Sequence, residues 1–161
     1  MVLNTYLEET FLYNDVTNKK LLANIKLMPD PQEATRLFSH LINCQYKWMA
    51  RIVQDPKAPV MSWWEPVYAY NELEPEWSKS LTPWITYISE KTEEELLAEV
   101  SFIGFDGSVW AATPKDIALQ LNYHSIHHRA QIQTLLRQQG LTPDFIDYIG
   151  TKYRKLASHG L

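Results

Sequence analysis

Apolar residues recur at helical spacing along the first third of the chain. The first predicted helix covers residues 3–27 and ends before Pro29 and Pro31. A second predicted helix covers about residues 32–53 and ends at Asp55-Pro56, because the residue before a proline avoids the helical conformation. Its apolar face consists of Leu37, Phe38, Leu41, Ile42, Trp48, Met49 and Ile52.

Residues 55–74 interrupt this periodicity with Pro56, Pro59 and Pro66. Since glycine and serine are scarce there, we predict a long ordered crossover rather than a flexible linker. A third helix is predicted over about residues 74–99, with a break near Thr92, because Thr92-Glu93-Glu94-Glu95 has the form of a capping box.

The segment SFIGFDGSVWAAT has β-type residues on both sides of Asp106-Gly107, which predicts a short hairpin or an ordered loop, too short to form a sheet. Thr113 is a predicted N-cap with Pro114 at the first helical position. It starts a fourth helix of about 25 residues that Gly140 ends. A last short helix is predicted from Asp144 to about residue 155.

These elements predict an all-α fold, an up-down four-helix bundle with a long crossover plus a short C-terminal helix. With 161 residues, of which 45% are hydrophobic, we expect one domain over residues 1–161. The formal charge of -4 and the lack of a Lys/Arg block argue against nucleic acid and favour a small-molecule partner. No apolar run approaches the ~20 residues that span a bilayer, and acidic residues lie near the start, so we expect a cytoplasmic protein with no membrane partner.

Two histidines lie in the apolar stripe of the fourth helix. At ~100° per residue, His124 and His128 fall among the core-facing positions, on neighbouring turns, whereas His127 points elsewhere. Imidazoles in an apolar interior need partners for their nitrogens, and a divalent cation bound by both would provide them. Hydrogen bonding within the core is the alternative. His40 lies at the margin of the apolar face of the second helix, where it is either a third ligand or a solvated residue.

Two segments resemble a known family: SHLINCQYKWMARI in the second helix, and NYHSIHHRAQIQTLLRQQG followed by TPDFIDYIG at the end. They are similar to the DinB-like family of metal-binding four-helix bundles, the damage-inducible protein family rather than the polymerase that shares the name. The most specific match is the motif His-x-x-x-His-Arg-x-Gln, formed by His124, His128, Arg129 and Gln131. The resemblance implies that His40, His124 and His128 are the metal ligands and that the chain forms a homodimer.

Cys44 follows His40 by one helical turn and either adds a thiolate to the same metal or packs in the core. Trp63 and Trp64 in the crossover have three alternative roles. They either cover the metal groove, form a subunit contact or pack over the end of the bundle.

Three polar residues are weak candidates for contacts to a substrate or cofactor. Arg129 either pairs with an acid on another helix or meets an anionic substrate group. Asn14 and Asn18 interrupt the apolar stripe of the first helix and are candidates to donate hydrogen bonds into the groove that faces the metal.

Three nitrogen ligands with no obvious fourth from the protein leave a position for water or substrate, which favours catalysis, with Zn²⁺ or Ni²⁺ as the ion. A metal-bound water or thiolate would then act on a small molecule, as a hydrolase or as a thiol S-transferase. The resemblance implies a low-molecular-weight thiol such as bacillithiol or mycothiol. The alternatives are a non-catalytic metal-binding stress-response protein and a helical interaction module in which the histidines are incidental.

Overall fold

The computed structural model of the chain describes residues 2–156, so His159, which has no predicted role, lies outside the described residues. Four long helices form the body: α1 (Leu3–Ile25), α2 (Gln32–Ile52), α3 (Tyr70–Glu90) and α5 (Pro114–Gln138). Between α3 and α5 lie a short helix, α4 (Glu93–Leu97), and an antiparallel hairpin of β1 (Val100–Ile103) and β2 (Val109–Ala112). Short 3-10 helices occupy Ala58–Val60 and Tyr148–Thr151. The all-α fold class is confirmed.

The four long helices form a closed ring in which α1 and α2 each pack against both α3 and α5. Helices α1 and α3 are antiparallel: Tyr70 at the start of α3 donates a hydrogen bond to the Leu22 carbonyl near the end of α1. At the opposite end, Asn4 donates to the Ile88 carbonyl, which also satisfies one of the last carbonyls of α3.

The crossover, predicted over residues 55–74 and observed over residues 53–69, joins two parallel helices. The start of α3 lies near the start of α2, where Ser39 accepts a hydrogen bond from the Tyr68 N–H. Further along both helices, the Trp84 indole N–H donates to the Gln45 carbonyl. The helix directions are therefore up, down, down, up, and the long crossover is needed because α2 and α3 run the same way.

Aromatic residues of α3 dominate the core. Trp77 and Trp84 are fully buried, with Trp77 edge-on to Phe38 and Trp84 stacked on Phe11. Such pairs contribute about 0.5–1.5 kcal/mol beyond burial. This packing, together with buried Leu73, explains why α3 begins at residue 70 rather than at the predicted residue 74, although Pro75 lies inside the helix.

Local sequence signals set most of the helix ends. The predicted break near Thr92 is confirmed as a reciprocal capping box: the Thr92 N–H donates to the Glu95 carboxylate and the Glu95 N–H to the Thr92 hydroxyl. Thr113 caps α5 by accepting from the Asp116 N–H. Gly140 follows α5 with a φ of 79°.

The predicted short hairpin around Asp106-Gly107 is confirmed. The expectation that it is too short to form a sheet was wrong, because its strands pair as a two-stranded sheet with Val100 opposite Ala112. The Asp106 carboxylate accepts from the Ser108 N–H and Gly107 takes a φ of 80°, which together close the turn.

The predicted helix after Asp144 is absent except for the 3-10 helix Tyr148–Thr151, because the bundle satisfies the backbone of this segment directly. Asn24 accepts from the Asp144 N–H, Gln133 donates to the Asp144 carbonyl, and Tyr13 donates to the Ile146 carbonyl. These bonds from α1 and α5 replace the bonds that a helix would make. Within residues 2–156, no helix combines the length and the apolar character needed to cross a membrane.

Candidate metal centre

The structure brings His40, His124 and His128 together where α2 and α5 pack against each other. The His124 Nε2 lies 2.8 Å from the His40 Nε2 and 3.1 Å from the His128 Nε2. His40 and His128 are buried and His124 is half-buried. Three imidazole nitrogens from two helices therefore face one point.

The outer nitrogens of two of these rings are held by oxygen atoms. The His40 Nδ1 lies 2.7 Å from the Trp63 carbonyl oxygen, and the His128 Nδ1 lies 2.6 Å from the Gln131 Oε1. Because an oxygen of this kind accepts, each Nδ1 carries the proton and each Nε2 presents a lone pair. These two contacts with oxygen atoms thus select the tautomer that a metal ligand needs.

The three rings are neutral at pH 7. Burial, followed by the charge of neighbouring imidazoles, lowers the pKa of His124 and of His128 to about 4. Burial also lowers the pKa of His40. The lone pairs of His40 and His128 both face the His124 Nε2, which can donate one proton to only one of them.

A cation fits this donor set. Ligand nitrogens at about 2.0–2.1 Å from a tetrahedral ion lie about 3.4 Å apart, so the observed nitrogen separations need to open only slightly. An ion would bind the three Nε2 lone pairs at once, whereas without an ion the His124 Nε2 can donate to only one neighbour.

Cys44 adds a sulfur atom to the same cluster. Its Sγ lies 3.5 Å from the His40 Nε2, and His40, Cys44 and His124 place one ligand atom each within 4.8 Å of one another, so this cluster could also hold a metal ion. The thiol is buried, and burial raises its pKa to about 12. The protein without metal therefore holds a neutral thiol here, whereas the imidazole nitrogens are already deprotonated.

The crossover covers the histidines. The Trp64 ring stacks on the His40 ring with centroids 3.9 Å apart, and Trp63 supplies the carbonyl that holds the His40 Nδ1. The Trp63 ring packs beside Trp48. Both tryptophans thus shield one side of the cluster, while His127 is exposed on α5.

Two openings flank the cluster. A cavity of about 220 Å³ is lined by His40, Cys44, Trp63 and His124 among others. A more open groove of about 470 Å³ reaches His128 from the other side. A small molecule has space beside the imidazoles.

Arg129, Asn14 and Asn18 form a separate cluster between α5 and α1. Arg129 is 2% exposed and donates to the side-chain oxygens of Asn14, Asn18 and Ser125, and its guanidinium lies over the Tyr13 ring. Among the described residues it has no ion pair with an acid. The structure therefore places these three weak candidates in a buried polar network, not in the groove beside the histidines.

Sequence reasoning missed three residues near the cluster. Gln131 was only part of a motif, although its spacing of three residues from His128 places it on the same face of α5. Lys47 and Arg51 are buried on α2. His40, Cys44, Lys47 and Arg51 follow one another at spacings of four, three and four residues, which could have placed them on one face of the helix.

Comparison with known proteins agrees with this geometry at the level of the family. No curated protein and no solved structure matches the chain significantly. The model of the DinB family matches residues 9–157, a span that contains all three histidines, Cys44 and the whole of α2 to α5. The chain belongs to the DinB family.

Proposed function

We propose that this DinB-family protein binds one divalent metal ion through His40, His124 and His128 and uses it in small-molecule catalysis. One observation carries the proposal: three neutral Nε2 atoms meet, and the Nδ1 protons of two rings are held by oxygen acceptors. Nitrogen donors of this kind suit Zn²⁺ or Ni²⁺.

Bound there, an ion with three neutral ligands would keep its full charge and lower the pKa of a water or thiol that reaches it. The chain's own residues define the space around that position. Trp63 and Trp64 exclude water from one side, and the cavity beside His124 leaves room for a reactant. Thiol transfer to a small electrophile and hydrolysis are the two reactions we propose, with a low-molecular-weight thiol as the co-substrate of the first.

Metal analysis of protein purified without an affinity tag tests the site. We expect about one equivalent of Zn or Ni in the wild type and none in His124→Ala. His127→Ala is the matched control, because it removes an exposed imidazole from the same helix. If His124→Ala keeps the metal, or if the wild type takes none up on titration, the site is wrong.

Turnover tests the reaction. Wild-type protein loaded with Zn²⁺ or Ni²⁺ is assayed for transfer of cysteine and other small thiols to an alkylating electrophile and for hydrolysis of esters and amides. We expect activity that a chelator abolishes and that His128→Ala lacks. Activity of the same size in metal-free protein would contradict a role for the metal.

A non-catalytic metal-binding protein is the second candidate, because the Cys44 sulfur lies 3.5 Å from the His40 Nε2 and is positioned to close the metal's shell. The absorption spectrum of the Co²⁺-loaded protein separates the two. A thiolate-to-cobalt charge-transfer band that disappears in Cys44→Ala favours this candidate, and its absence favours the open site.

We also propose that the chain forms a homodimer, as its resemblance to the DinB-like family implies. Sedimentation velocity over a range of protein concentrations tests this directly, and a single monomeric species throughout would contradict it.

A further inference from the structure

Helix α2 carries two buried cations further along the helix than His40. Lys47 and Arg51 are 5% and 7% exposed, and neither makes an ion pair with a carboxylate within residues 2–156. Lys47 donates to the Met61 carbonyl, which anchors the crossover. Burying a charge without a counter-charge is costly, so the pair calls for an explanation.

Aromatic rings hold the Arg51 guanidinium in place. Its central carbon lies 4.6 Å from the Trp48 ring centroid, 5.0 Å from that of Trp63 and 4.6 Å from that of Phe102. These contacts stabilise the positive charge but use none of the N–H donors.

Within residues 2–156, most of the Arg51 N–H donors have no acceptor. The one side-chain hydrogen bond runs from Nη2 to the Ile103 carbonyl, at 3.3 Å, and the buried Nε has no acceptor among the described residues. A rigid guanidinium with free donors is suited to recognise a planar anion.

Arg51 also lines a cavity of its own. The cavity has a volume of about 370 Å³, within the range of small-molecule sites, and it lies between the end of α2, the crossover and the hairpin. Apolar side chains such as Pro56, Pro59 and Val109 form much of its wall. Asp55 is also part of the lining and makes no ion pair with Arg51.

We infer that this cavity binds the carboxylate of a small organic molecule and that Arg51 is the residue that recognises it. The two oxygens of a carboxylate match the guanidinium edge, and the apolar wall suits a hydrocarbon body. A phosphate dianion fits less well, because the Asp55 carboxylate lines the same cavity and repels a second negative charge.

The Trp63 residue connects this site to the histidines. Its ring packs on Arg51, while its carbonyl oxygen accepts from the His40 Nδ1. Trp48 and Trp63 line the cavity beside the histidines and neither lines the Arg51 cavity, so the two cavities are separate. The carboxylate site does not itself require a metal.

NMR titration of labelled protein with hexanoate tests the inference, with hexanamide as the neutral probe of similar shape and inorganic phosphate as the competing anion. We expect saturable shifts around Arg51 and Phe102 with hexanoate, and much weaker ones with hexanamide and phosphate. Loss of the charged hydrogen bonds in Arg51→Met should weaken hexanoate binding by about tenfold or more. Arg51→Lys should recover only part of it, because it keeps the charge without the fork.

Two controls separate the site from general charge and from the metal. Arg137→Met removes a cation from an exposed position in the last turn of α5 and should leave the hexanoate affinity unchanged. His124→Ala should also leave it unchanged, so a failure of the metal proposal would not affect this result. If His124→Ala abolishes hexanoate binding, the carboxylate binds the metal and the inference is wrong.

Asp55→Asn gives a test that misfolding cannot imitate. The asparagine keeps the acceptor for the Lys57 N–H, so the turn is preserved, while a negative charge leaves the cavity. Hexanoate binding should tighten by about twofold to fivefold. No hexanoate binding to the wild type, equal binding to Arg51→Met, or preferential binding of phosphate would each overturn the inference.

Discussion

Helix α5 presents two buried polar clusters on adjacent faces. His124 and His128 face α2, whereas Ser125 and Arg129 face α1. Both clusters take residues from the same short stretch of α5. They differ in how their polar atoms are satisfied.

The cluster toward α1 pairs unlike groups. The Arg129 Nη1 lies 3.2 Å from the Asn18 oxygen and 3.0 Å from the Ser125 hydroxyl, and Asn14 accepts from the same nitrogen. The Arg129 Nη2 and the Asn14 Nδ2 have no partner among the described residues, but the central donor meets its acceptors and the group is sealed from solvent. Paired polar groups of this kind fix the packing of two helices.

The cluster toward α2 brings like groups together instead. The His40 Nε2 and the His128 Nε2 both face the His124 Nε2, which has at most one proton to donate, and cavities open beside the cluster. A protein gains little stability from such an arrangement unless something else binds there. The contrast indicates that complementary polar groups hold a fold together, whereas convergent like groups mark a binding site.

The largest expected effect is the loss of metal from His128→Ala. With one of three ligands gone, the purified variant should contain no metal. Its free energy of unfolding in a chelator should stay within about 1 kcal/mol of the metal-free wild type, because the ring lies next to a groove and its Nε2 competes with that of His40 for a single His124 proton. Elemental analysis and urea denaturation measure both quantities. A full equivalent of metal in the variant would contradict the assignment of the histidine cluster as the metal site.

Arg129→Ala should have the opposite effect. Losing a large buried side chain with its hydrogen bonds to Asn14, Asn18 and Ser125 should cost about 3 kcal/mol or more. The folded fraction should still bind about one metal ion. Urea denaturation measures the loss, and Arg137→Ala, at an exposed position of the same helix, should change stability by less than about 0.5 kcal/mol. An unchanged free energy of unfolding in Arg129→Ala would show that the Arg129 network does not stabilise the fold.

The sequence predicts elements whose ends depend on local chemistry. Thr113-Pro114 and Gly140 bracket α5, and Thr92 starts α4, because caps and breakers act within one turn of the chain. The sequence does not predict the structure after Asp144. There the backbone is held by side chains of α1 and α5, and one of them, Asn24, lies more than a hundred residues away along the chain.

The candidate site shows the same division. The convergence of His124 and His128 follows from helical spacing, and Gln131 lies on their face for the same reason. The partner of the His40 Nδ1 could not be predicted, since it is the backbone carbonyl of Trp63 and backbone atoms have no sequence signature. The path of the aperiodic crossover also decides where Arg51 meets its aromatic neighbours.

A smaller effect is expected from Gln131→Met, which removes the acceptor for the His128 Nδ1 proton without touching a ligand atom. Metal affinity should fall about 10- to 100-fold through loss of ring orientation, with stability nearly unchanged. Gln133→Met is the matched control, because that amide holds the Asp144 carbonyl instead. Competition with a chromophoric chelator measures the affinities, and equal values for the two variants would argue against tautomer control by Gln131.

The last expected effect is the pH dependence of stability in the metal-free protein. Burial lowers the pKa of His124 and of His128 to about 4, whereas an unfolded histidine titrates near its ordinary value of about 6.5. Between these values the unfolded chain binds more protons than the folded protein, so stability is complete above about pH 6.5 and falls as the pH drops toward about 4. Urea denaturation at successive pH values should show this slope.

The two clusters separate again in this experiment. His124→Ala combined with His128→Ala should flatten the slope, leaving the part that His40 contributes, since burial lowers its pKa as well. Arg129 keeps its proton throughout this range, so Arg129→Ala should shift the whole stability curve downward without changing its slope. A slope that is undiminished by the double histidine substitution, or that disappears with Arg129→Ala, would mean that protons act on the fold through groups outside the histidine cluster.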